Sequence, residues 1–336
     1  MGLFSENPFT VLASLFTQVF PAKPTFTDKD IGDLEGKVYI VTGANTGVGK
    51  HVAKILFAKN AKVYCAARSE EKAVKAIQDI QTEVKQSRGE LVFLKLDLAD
   101  LSTIRASAEQ FLAKEDKLHV LFNNAGVMYP PQGSKTAQGY ELQLGVNNLG
   151  PFLFTKFLTP TLVRTARASE PSTVRVVWVA SLAAEALALS QGGIDISNLD
   201  YHVDQSSMIK YGVSKAGNYY QGVEFARRHK EDGIVSVPLN PGNLDSDLWR
   251  GLPSAAASFI RRLFLSPSVY GAYTELFAGL STDVTIQRSG EWVIPWGRFA
   301  QTRAQLLQAA IPASEGGTGE AERFWEWQEE QVRPFL

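Results

Sequence analysis

Short apolar runs alternate with amphipathic segments along most of the chain. The run that ends at Thr42 suits a strand buried on both faces, and the stretch after it has apolar residues at helical spacing. Repeated units of this kind predict a doubly wound parallel sheet of about seven strands with helices on both faces. Strands are predicted at 37–42, 62–66, 91–96, 119–122, 174–179 and 234–239 with a last short strand at Trp292, and helices at 47–60, 70–86, 101–113, 138–167 and 209–229.

The composition fits one large globular domain. The chain has 336 residues, of which 45% are hydrophobic, enough for a sizeable core. Lysine and arginine number 34 against 35 acidic residues, so no overall basic field attracts nucleic acid. The single cysteine, Cys65, excludes a disulfide framework within the chain, and the four histidines show no metal-ligand spacing. We therefore expect a cytoplasmic protein without a structural metal.

Residues 1–34 form an apolar extension and a linker. Apolar residues recur at roughly helical spacing from Phe4 to Phe20, and prolines mark 21–33 as the linker. The segment is short and is interrupted by polar residues, so it is a poor membrane span, and it lacks the basic start of a secretory signal. Two interpretations stay open: a helix docked on the protein's own apolar surface, and weak contact of residues 1–20 with a membrane surface.

A glycine-rich turn joins the first predicted strand to the first predicted helix. It reads Thr42-Gly43-Ala44-Asn45-Thr46-Gly47-Val48-Gly49. Glycines there let backbone N–H groups approach a pyrophosphate, and the helix aims the positive end of its dipole at the same group. Arg68 follows the second predicted strand, where an acidic residue would bind the ribose of NAD and an arginine would accommodate the 2′-phosphate of NADP. The sequence thus predicts a site that prefers NADP(H); a solvated surface charge is the alternative for Arg68.

Tyr211 and Lys215 are four residues apart in a predicted helix and therefore share one face of it. An ammonium beside a phenol favours the phenolate and lowers the phenol pKa from about 10 toward neutrality. The pair is a candidate for general acid and base chemistry. A surface pair is the alternative when the two residues are taken alone.

Four motifs together resemble the short-chain dehydrogenase/reductase family. They are the glycine turn at 42–49, Asn123-Asn124-Ala125-Gly126, Tyr211 with Lys215, and Pro241-Gly242. The resemblance covers about residues 36–295 and is strongest to the retinol-dehydrogenase-like branch, through the segments 41–50 and 145–152, although Asn240 stands where many members of that branch have His. It implies a single Rossmann-type domain at 35–336.

The resemblance also implies roles for individual residues. Tyr211 would protonate a carbonyl oxygen during hydride transfer, or accept the proton when an alcohol is oxidised, and Lys215 would bind the nicotinamide ribose. Ser181 would orient the substrate oxygen, and Asn147 would shape the central helix and support a proton-relay water. Asp97 would contact the adenine; taken alone, it is more simply a helix cap. The implied cofactor-binding set is Gly43, Asn45, Thr46, Gly47, Val48, Gly49, Arg68, Asp97, Leu98, Asn124, Ala125, Gly126, Tyr211, Lys215, Pro241, Gly242, Leu244 and Ser246.

Segments beyond the core fold are expected to set specificity. These are a substrate loop at 182–210, a lid at 243–268 and an aromatic C-terminal tail whose final helix should pack its tryptophans on the body or on a partner subunit. The lid carries apolar residues that suit a bulky apolar ketone, aldehyde or secondary alcohol of secondary metabolism, with plain core packing as the alternative. They are Leu248, Trp249, Leu252, Phe259, Ile260, Leu263 and Phe264.

Two other functions and one assembly stay open. A dinucleotide-binding sensor would not need Ser181, Tyr211 and Lys215 together. A C=C reductase similar to protochlorophyllide reductase would use an active-site cysteine, and Cys65 lies in a predicted strand away from the other candidates. The long helices at 138–167 and 209–229 match those that form dimers in the family, which leaves a homodimer open.

Overall fold

An eight-stranded sheet runs through the centre of the structure, a computed structural model that describes residues 8–186, 193–245 and 265–336. Its strands are β1 Val38–Thr42, β2 Lys62–Ala67, β3 Glu90–Lys95, β4 Val120–Asn123, β5 Arg175–Val179, β6 Val235–Leu239, β9 Trp292–Ile294 and β10 Arg298–Ala300; β7 Leu244–Asp245 and β8 Ser266–Pro267 form a separate pair. The order of the strands in the large sheet is β10-β9-β6-β5-β4-β1-β2-β3, and all neighbours are parallel except β9 and β10.

Helices follow the strands in the predicted alternation. The α-helices are α1 Pro8–Val19, α2 Gly47–Ala58, α3 Glu70–Glu83, α4 Leu101–Leu112, α5 Leu142–Leu144, α6 Gly150–Arg167, α7 Leu182–Ala186, α8 Ser207–Arg228, α9 Ser268–Leu280, α10 Ala304–Ala310 and α11 Glu320–Val332. A π-helical turn, Gly145–Leu149, joins α5 to α6. Short 3-10 turns lie at Asp28–Asp30, Ile196–Asn198, Ile286–Arg288, Ala313–Glu315 and Arg333–Phe335.

The central strands are buried on both faces, which explains their continuous apolar sequences. Helices α2, α3 and α9 contribute to the core on one face, through residues such as Leu56, Ile80 and Leu276. Helices α4, α6 and α8 contribute to the core on the other, through residues such as Phe111 and Phe225. The doubly wound α/β class predicted from the sequence is confirmed.

The sheet differs from the prediction at one edge. About seven strands were expected, and the eighth is β10, which pairs antiparallel with β9. The chain reverses between them at Trp296 and Gly297, both with positive φ (67° and 81°). A left-handed tryptophan is an uncommon turn residue, so turn statistics did not reveal the reversal. The predicted long helix also begins at Leu142 rather than 138, and is interrupted by the π-helical turn.

The C-terminal tail packs on the body of the same chain. In α11, Phe324 is fully buried, and Trp325 packs edge-on against Phe152 of α6 with ring centres 4.7 Å apart. Lys156 of α6 forms an ion pair with Glu329 at 2.6 Å. This helix therefore covers part of the α6 and α8 surface on which a homodimer was considered, and the homodimer stays a prediction.

The N-terminal helix α1 buries a polar side chain on one side and exposes an aromatic side chain on the other. Gln18 is only 1% exposed, whereas Phe16 and Phe20 are 62% and 48% exposed, with ring centres 5.1 Å apart. In the described part of the chain no helix is both long and apolar enough to cross a membrane. Contact of this segment with a membrane surface, like the cytoplasmic location, stays a prediction.

Candidate active site

The glycine turn lies where the order of the sheet reverses. Strand β1 pairs with β2 on one side and β4 on the other, so the segments that follow β1 and β4 meet above the carboxyl ends of the strands. Gly43 and Gly47 have φ of 71° and 56°, values that favour glycine. A Cβ on Gly49 would lie 2.5 Å from Asn124 Nδ2 and 2.7 Å from the Gly43 carbonyl oxygen. The turn therefore leaves no room for a side chain at Gly49.

Residues of the Asn123–Gly126 segment hold this turn in place. Asn124 Nδ2 donates to the Thr42 carbonyl oxygen at 2.6 Å, and the Ala125 N–H donates to Thr42 Oγ1 at 2.9 Å. A Cβ on Gly126 would lie 3.2 Å from Asn147 Oδ1 and 3.5 Å from Lys215 Nζ. The segment thus links the glycine turn to the residues of α8.

The turn fits a dinucleotide. Helix α2 begins at Gly47 with no side-chain cap on its first turn, and no acidic residue stands in that turn. Its N–H groups and dipole suit a pyrophosphate, and the missing Cβ atoms at Gly43, Gly47 and Gly49 let the phosphates approach the backbone. Asn45, Thr46 and Val48 complete the predicted set in this loop and its helix start, and all three are half-buried.

Ser181, Tyr211 and Lys215 come together at the carboxyl end of β5. Ser181 follows β5, and its hydroxyl lies close enough to the phenol of Tyr211 to lower the pKa of that phenol. Lys215 Nζ donates to the Val179 carbonyl oxygen at 2.8 Å and to Asn218 Oδ1 at 3.2 Å. Ser181 Oγ also accepts from the Ala183 N–H at 3.2 Å, so the hydroxyl has a structural partner as well.

Burial is the main cause of the pKa shifts of Tyr211 and Lys215. It raises the pKa of Tyr211 above its usual value, while the Ser181 hydrogen bond acts in the opposite direction. The sequence predicted a lowered pKa, but Lys215 Nζ turns to Val179 and lies 5.9 Å from the centre of the Tyr211 ring. Burial likewise lowers the pKa of Lys215 to about 8. Tyr211 is therefore a protonated phenol at neutral pH, the form that donates a proton.

Asn147 lies in the π-helical turn and is 1% exposed. Its Oδ1 accepts from the Val127 N–H at 2.8 Å, and its Nδ2 donates to Ser214 Oγ at 2.9 Å. The amide thus bonds across to other elements rather than back onto its own turn. Asn218, not singled out from the sequence, donates to the Asn147 carbonyl oxygen at 2.6 Å and joins it to Lys215. The sequence feature that could have identified Asn218 is its place three residues after Lys215 on the same helix.

Arg68, Asp97 and Leu98 follow β2 and β3. Arg68 is exposed, and its carbonyl oxygen accepts from Lys95 Nζ at 2.7 Å. Asp97 accepts from the Ala99 N–H at 3.0 Å, and the cap of α4 is Asp100, so the helix-cap alternative for Asp97 is wrong. Leu98 is buried; a Cβ on Gly150 would lie 2.7 Å from its carbonyl oxygen.

Pro241, Gly242 and Leu244 follow β6. Gly242 has a φ of 101°, and a Cβ there would lie 2.9 Å from the Trp296 ring, so both conformation and space favour glycine. Leu244 is buried in β7. Ser246 and the apolar lid residues from Leu248 to Phe264 lie outside the described residues, as does part of the 182–210 segment.

An aromatic side chain flanks Tyr211 on the solvent side. Tyr129 packs edge-on against the Tyr211 ring, with ring centres 5.4 Å apart, and is 44% exposed. Its φ is 50°, a strained value for a bulky residue, and its N–H donates to Gln143 Oε1 at 3.0 Å. Met208, one helical turn before Tyr211, is 51% exposed. The surface beside the phenol is therefore partly apolar.

Gln18 of α1 bridges the segments that follow β5 and β6. Its Nε2 donates to Glu185 Oε2 at 2.6 Å, and its Oε1 accepts from Asn240 Nδ2 at 2.9 Å. Glu185 lies four residues after Ser181 and also accepts from Thr302 Oγ1 at 2.7 Å; burial raises its pKa. Asn240 Oδ1 accepts from the Gly242 N–H at 3.0 Å. The N-terminal helix is thus tied to both edges of the candidate site.

Replacing Gln18 by Leu is expected to lower the free energy of unfolding by about 1–3 kcal/mol, because Glu185 and Asn240 each lose a buried partner. Urea denaturation measures the change. Gln132→Leu is the matched control, since Gln132 is exposed and bonds Asp204, also exposed, at 3.1 Å. If both variants lost the same free energy of unfolding, the proposed contribution of the Gln18 hydrogen bonds to stability would be wrong.

Within the described ranges no group of three or more His, Cys, Asp or Glu side chains could hold a metal ion. Cys65 is buried in β2, and burial raises the pKa of its thiol to about 12. A thiol with so high a pKa is a poor proton donor and a poor nucleophile at neutral pH. The structure therefore offers no support for cysteine chemistry at this site.

Sequence comparisons give a family for this site. The family described as short chain dehydrogenase matches residues 37–191. A short-chain dehydrogenase/reductase from Phomopsis amygdali is 54% identical over 332 residues, which are 98% of this chain and 99% of that protein. Another, from Neocamarosporium betae, is 48% identical over 328 residues, 97% of this chain and 94% of the relative.

A solved structure supports the fold. The NADPH-bound carbonyl reductase from chicken fatty liver has a TM-score of 0.62 and 20% identity, covering 82% of this chain and 97% of that one. The family description and the names of these relatives are those of dehydrogenases and reductases, which are oxidoreductases. With nearly the whole chain matched at 54% identity, the protein belongs to the short-chain dehydrogenase/reductase family.

Proposed function

We propose that this protein is an NADP(H)-dependent carbonyl reductase or alcohol dehydrogenase whose substrate is a bulky apolar ketone, aldehyde or secondary alcohol. The observation that carries the proposal is the meeting of Ser181, Tyr211 and Lys215 at the carboxyl end of β5, next to the Asn123–Gly126 segment that holds the glycine turn. A hydroxyl pair at the carboxyl ends of parallel strands can hold a carbonyl oxygen where a bound dinucleotide ends.

A nicotinamide cofactor held over the glycine turn would supply the hydride in reduction and would accept it in oxidation. Tyr211, protonated at neutral pH, donates its proton to the substrate oxygen as negative charge develops there. The Ser181 hydroxyl hydrogen-bonds the same oxygen and so orients the carbonyl. Lys215 would hold the cofactor ribose with its ammonium group. Asn147 and Asn218 hold Lys215 in place through their shared hydrogen bond.

The preference for NADP(H) rests on Arg68. Its side chain is exposed at the end of β2, and Lys95 Nζ lies against its carbonyl oxygen, so two cationic residues flank the place where a ribose 2′-phosphate would bind. Lys50, in the first turn of α2, forms an ion pair with Asp79 at 2.8 Å. The cationic groups that support the 2′-phosphate site are thus those following β2 and β3.

The apolar substrate class rests on the surface beside Tyr211. Tyr129 and Met208 are both about half exposed there, and an exposed apolar surface next to the reacting phenol suits an apolar substrate. The strained backbone of Tyr129 supports a role for its ring at this position, because strain of this kind is typical of functional sites. A small polar aldehyde would leave this surface in contact with water.

The test measures NADPH and NADH oxidation against a panel of apolar aldehydes and ketones. We expect turnover with NADPH, and Arg68→Ala should raise the KM for NADPH by about 10- to 100-fold while the KM for NADH stays within twofold, because a charge-assisted hydrogen bond is lost. Arg167→Ala is the matched control. Arg167 is an exposed arginine at the C-terminal end of α6, where it forms an ion pair with Asp232. Preference for NADH would overturn the role of Arg68, and tight cofactor binding without turnover would favour the sensor alternative.

A further inference from the structure

Gln143 of α5 is a fully buried amide that links two segments beside the candidate site. Its Oε1 accepts from the Tyr129 N–H at 3.0 Å, and its Nε2 donates to the Ser207 carbonyl oxygen at 3.0 Å. An N–H can only donate and a carbonyl oxygen can only accept, so these two partners fix the orientation of the amide. Gln143 therefore ties the segment that follows β4 to the first turn of α8.

This link reaches both members of an aromatic pair. In an α-helix a carbonyl oxygen accepts from the N–H four residues later, so Ser207 lies one helical turn before Tyr211. Tyr129, at the other end of the link, packs edge-on against the Tyr211 ring, with ring centres 5.4 Å apart. One buried amide thus holds the backbone beneath both rings.

Tyr129 has a strained backbone that packing in the core does not explain. Its φ of 50° lies in the left-handed region that bulky residues rarely adopt, yet its side chain is 44% exposed. Such a conformation persists only where surrounding contacts determine it, and here those contacts are the Gln143 amide and the Tyr211 ring. The strain therefore places an aromatic ring, still partly open to solvent, beside the reacting phenol.

We propose that Tyr129 is a specificity-determining residue that selects substrates whose larger substituent is a planar ring, and that Gln143 is the positioning residue that holds Tyr129. The inference rests on the proposed function, in which the substrate oxygen binds at Tyr211. A substituent on the same carbonyl carbon then comes within reach of the exposed part of Tyr129, because the two rings are in contact. A planar ring gains edge or face contacts with an aromatic side chain in addition to the apolar area buried, whereas a saturated ring gains the burial alone.

The first experiment compares the binding of acetophenone and cyclohexyl methyl ketone, which share a carbon skeleton and differ in whether the ring is aromatic. Ligand-observed NMR gives both dissociation constants on the full chain, alone and with NADP⁺, which cannot reduce a ketone. We expect wild type to prefer acetophenone, and the preference to fall about three- to tenfold in Tyr129→Leu, which keeps an apolar side chain without the aromatic ring. A preference unchanged in Tyr129→Leu, or no binding of either ketone, would overturn the inference.

The second experiment tests Gln143 through the same preference. Gln143→Leu removes both hydrogen bonds, so the preference should fall as far as in Tyr129→Leu and no further in the double variant, because both changes act through one ring. Gln328→Leu is the matched control, since Gln328 of α11 is also fully buried and bonds Gln221 at 2.6 Å. This control should lose stability and keep the preference. The same result in Gln143→Leu would show that Gln143 does not position Tyr129.

Steady-state rates separate this inference from the proposed function. The ratio of the kcat/KM values for NADPH-dependent reduction of the two ketones should change in Tyr129→Leu by a factor similar to that found in binding, and the intrinsic reactivities of the ketones cancel in this comparison. A binding preference that depends on Tyr129, without any turnover, would contradict the proposed function and support the ring contact. Turnover of both ketones with the same ratio in wild type and Tyr129→Leu would contradict the ring contact alone.

Discussion

Replacing Tyr211 by Phe is expected to lower kcat/KM by about two to four orders of magnitude, the range associated with loss of a positioned general acid. The ring and its edge-on contact with Tyr129 are retained, so the loss is confined to the hydroxyl that Ser181 contacts. Steady-state NADPH oxidation measures the rate, and fluorescence titration with NADPH should give a dissociation constant within a few fold of wild type.

Tyr220→Phe is the matched control for this prediction. Tyr220 lies on the same helix and is buried, but its hydroxyl bonds Glu320 at 3.0 Å rather than a residue of the site. Its removal should cost about 1 kcal/mol of stability and leave turnover nearly unchanged. If Tyr211→Phe retained the wild-type kcat/KM with the same substrate, the proton-donor mechanism would be wrong.

Gly49→Ala should abolish tight cofactor binding. A Cβ at this position would lie 2.5 Å from Asn124 Nδ2 and 2.7 Å from the Gly43 carbonyl oxygen, and the latter is backbone that cannot turn aside. The turn must open, which moves the N–H groups that would bind the phosphates, and strain of this kind costs about 1–3 kcal/mol of stability. We expect at least a hundredfold weaker NADPH binding by fluorescence and a lower urea midpoint.

Gly32→Ala is the matched control for Gly49→Ala. Gly32 is exposed, and a Cβ there would have nothing within 4 Å, so binding and stability should both stay close to wild type. Wild-type affinity for NADPH in Gly49→Ala would show that the nucleotide does not bind over this turn.

Much of the fold followed from local pattern. Continuous apolar runs predicted the central strands within a residue or two, because strands buried on both faces have few polar positions to blur their limits. Helical spacing made Tyr211 and Lys215 a candidate pair, and the resemblance to the short-chain dehydrogenase/reductase family added Ser181. The structure brings these three together; their roles remain predictions.

Long-range partners were beyond the reach of sequence patterns. Glu275 is the one charged residue of its helix, and nothing near it in the chain indicates that its carboxyl is fully buried without a hydrogen-bond partner among the described residues. Asn240 was noticed only as a departure from the resemblance, because its partner Gln18 is 222 residues away. The expected pKa of Tyr211 was wrong for a related reason: the orientation of the Lys215 side chain depends on the Val179 carbonyl oxygen of another element.

The Gln18 bridge also bears on how the protein is made. During synthesis the N-terminal helix leaves the ribosome long before either of its partners, since Glu185 follows Gln18 by 167 residues and Asn240 by 222. Contacts of such high sequence separation form late and slow the folding of a chain. Gln18 therefore lacks one of its two partners until residue 240 of the 336 has been translated. A chaperone that binds apolar segments on nascent chains would find its target at this end of the protein.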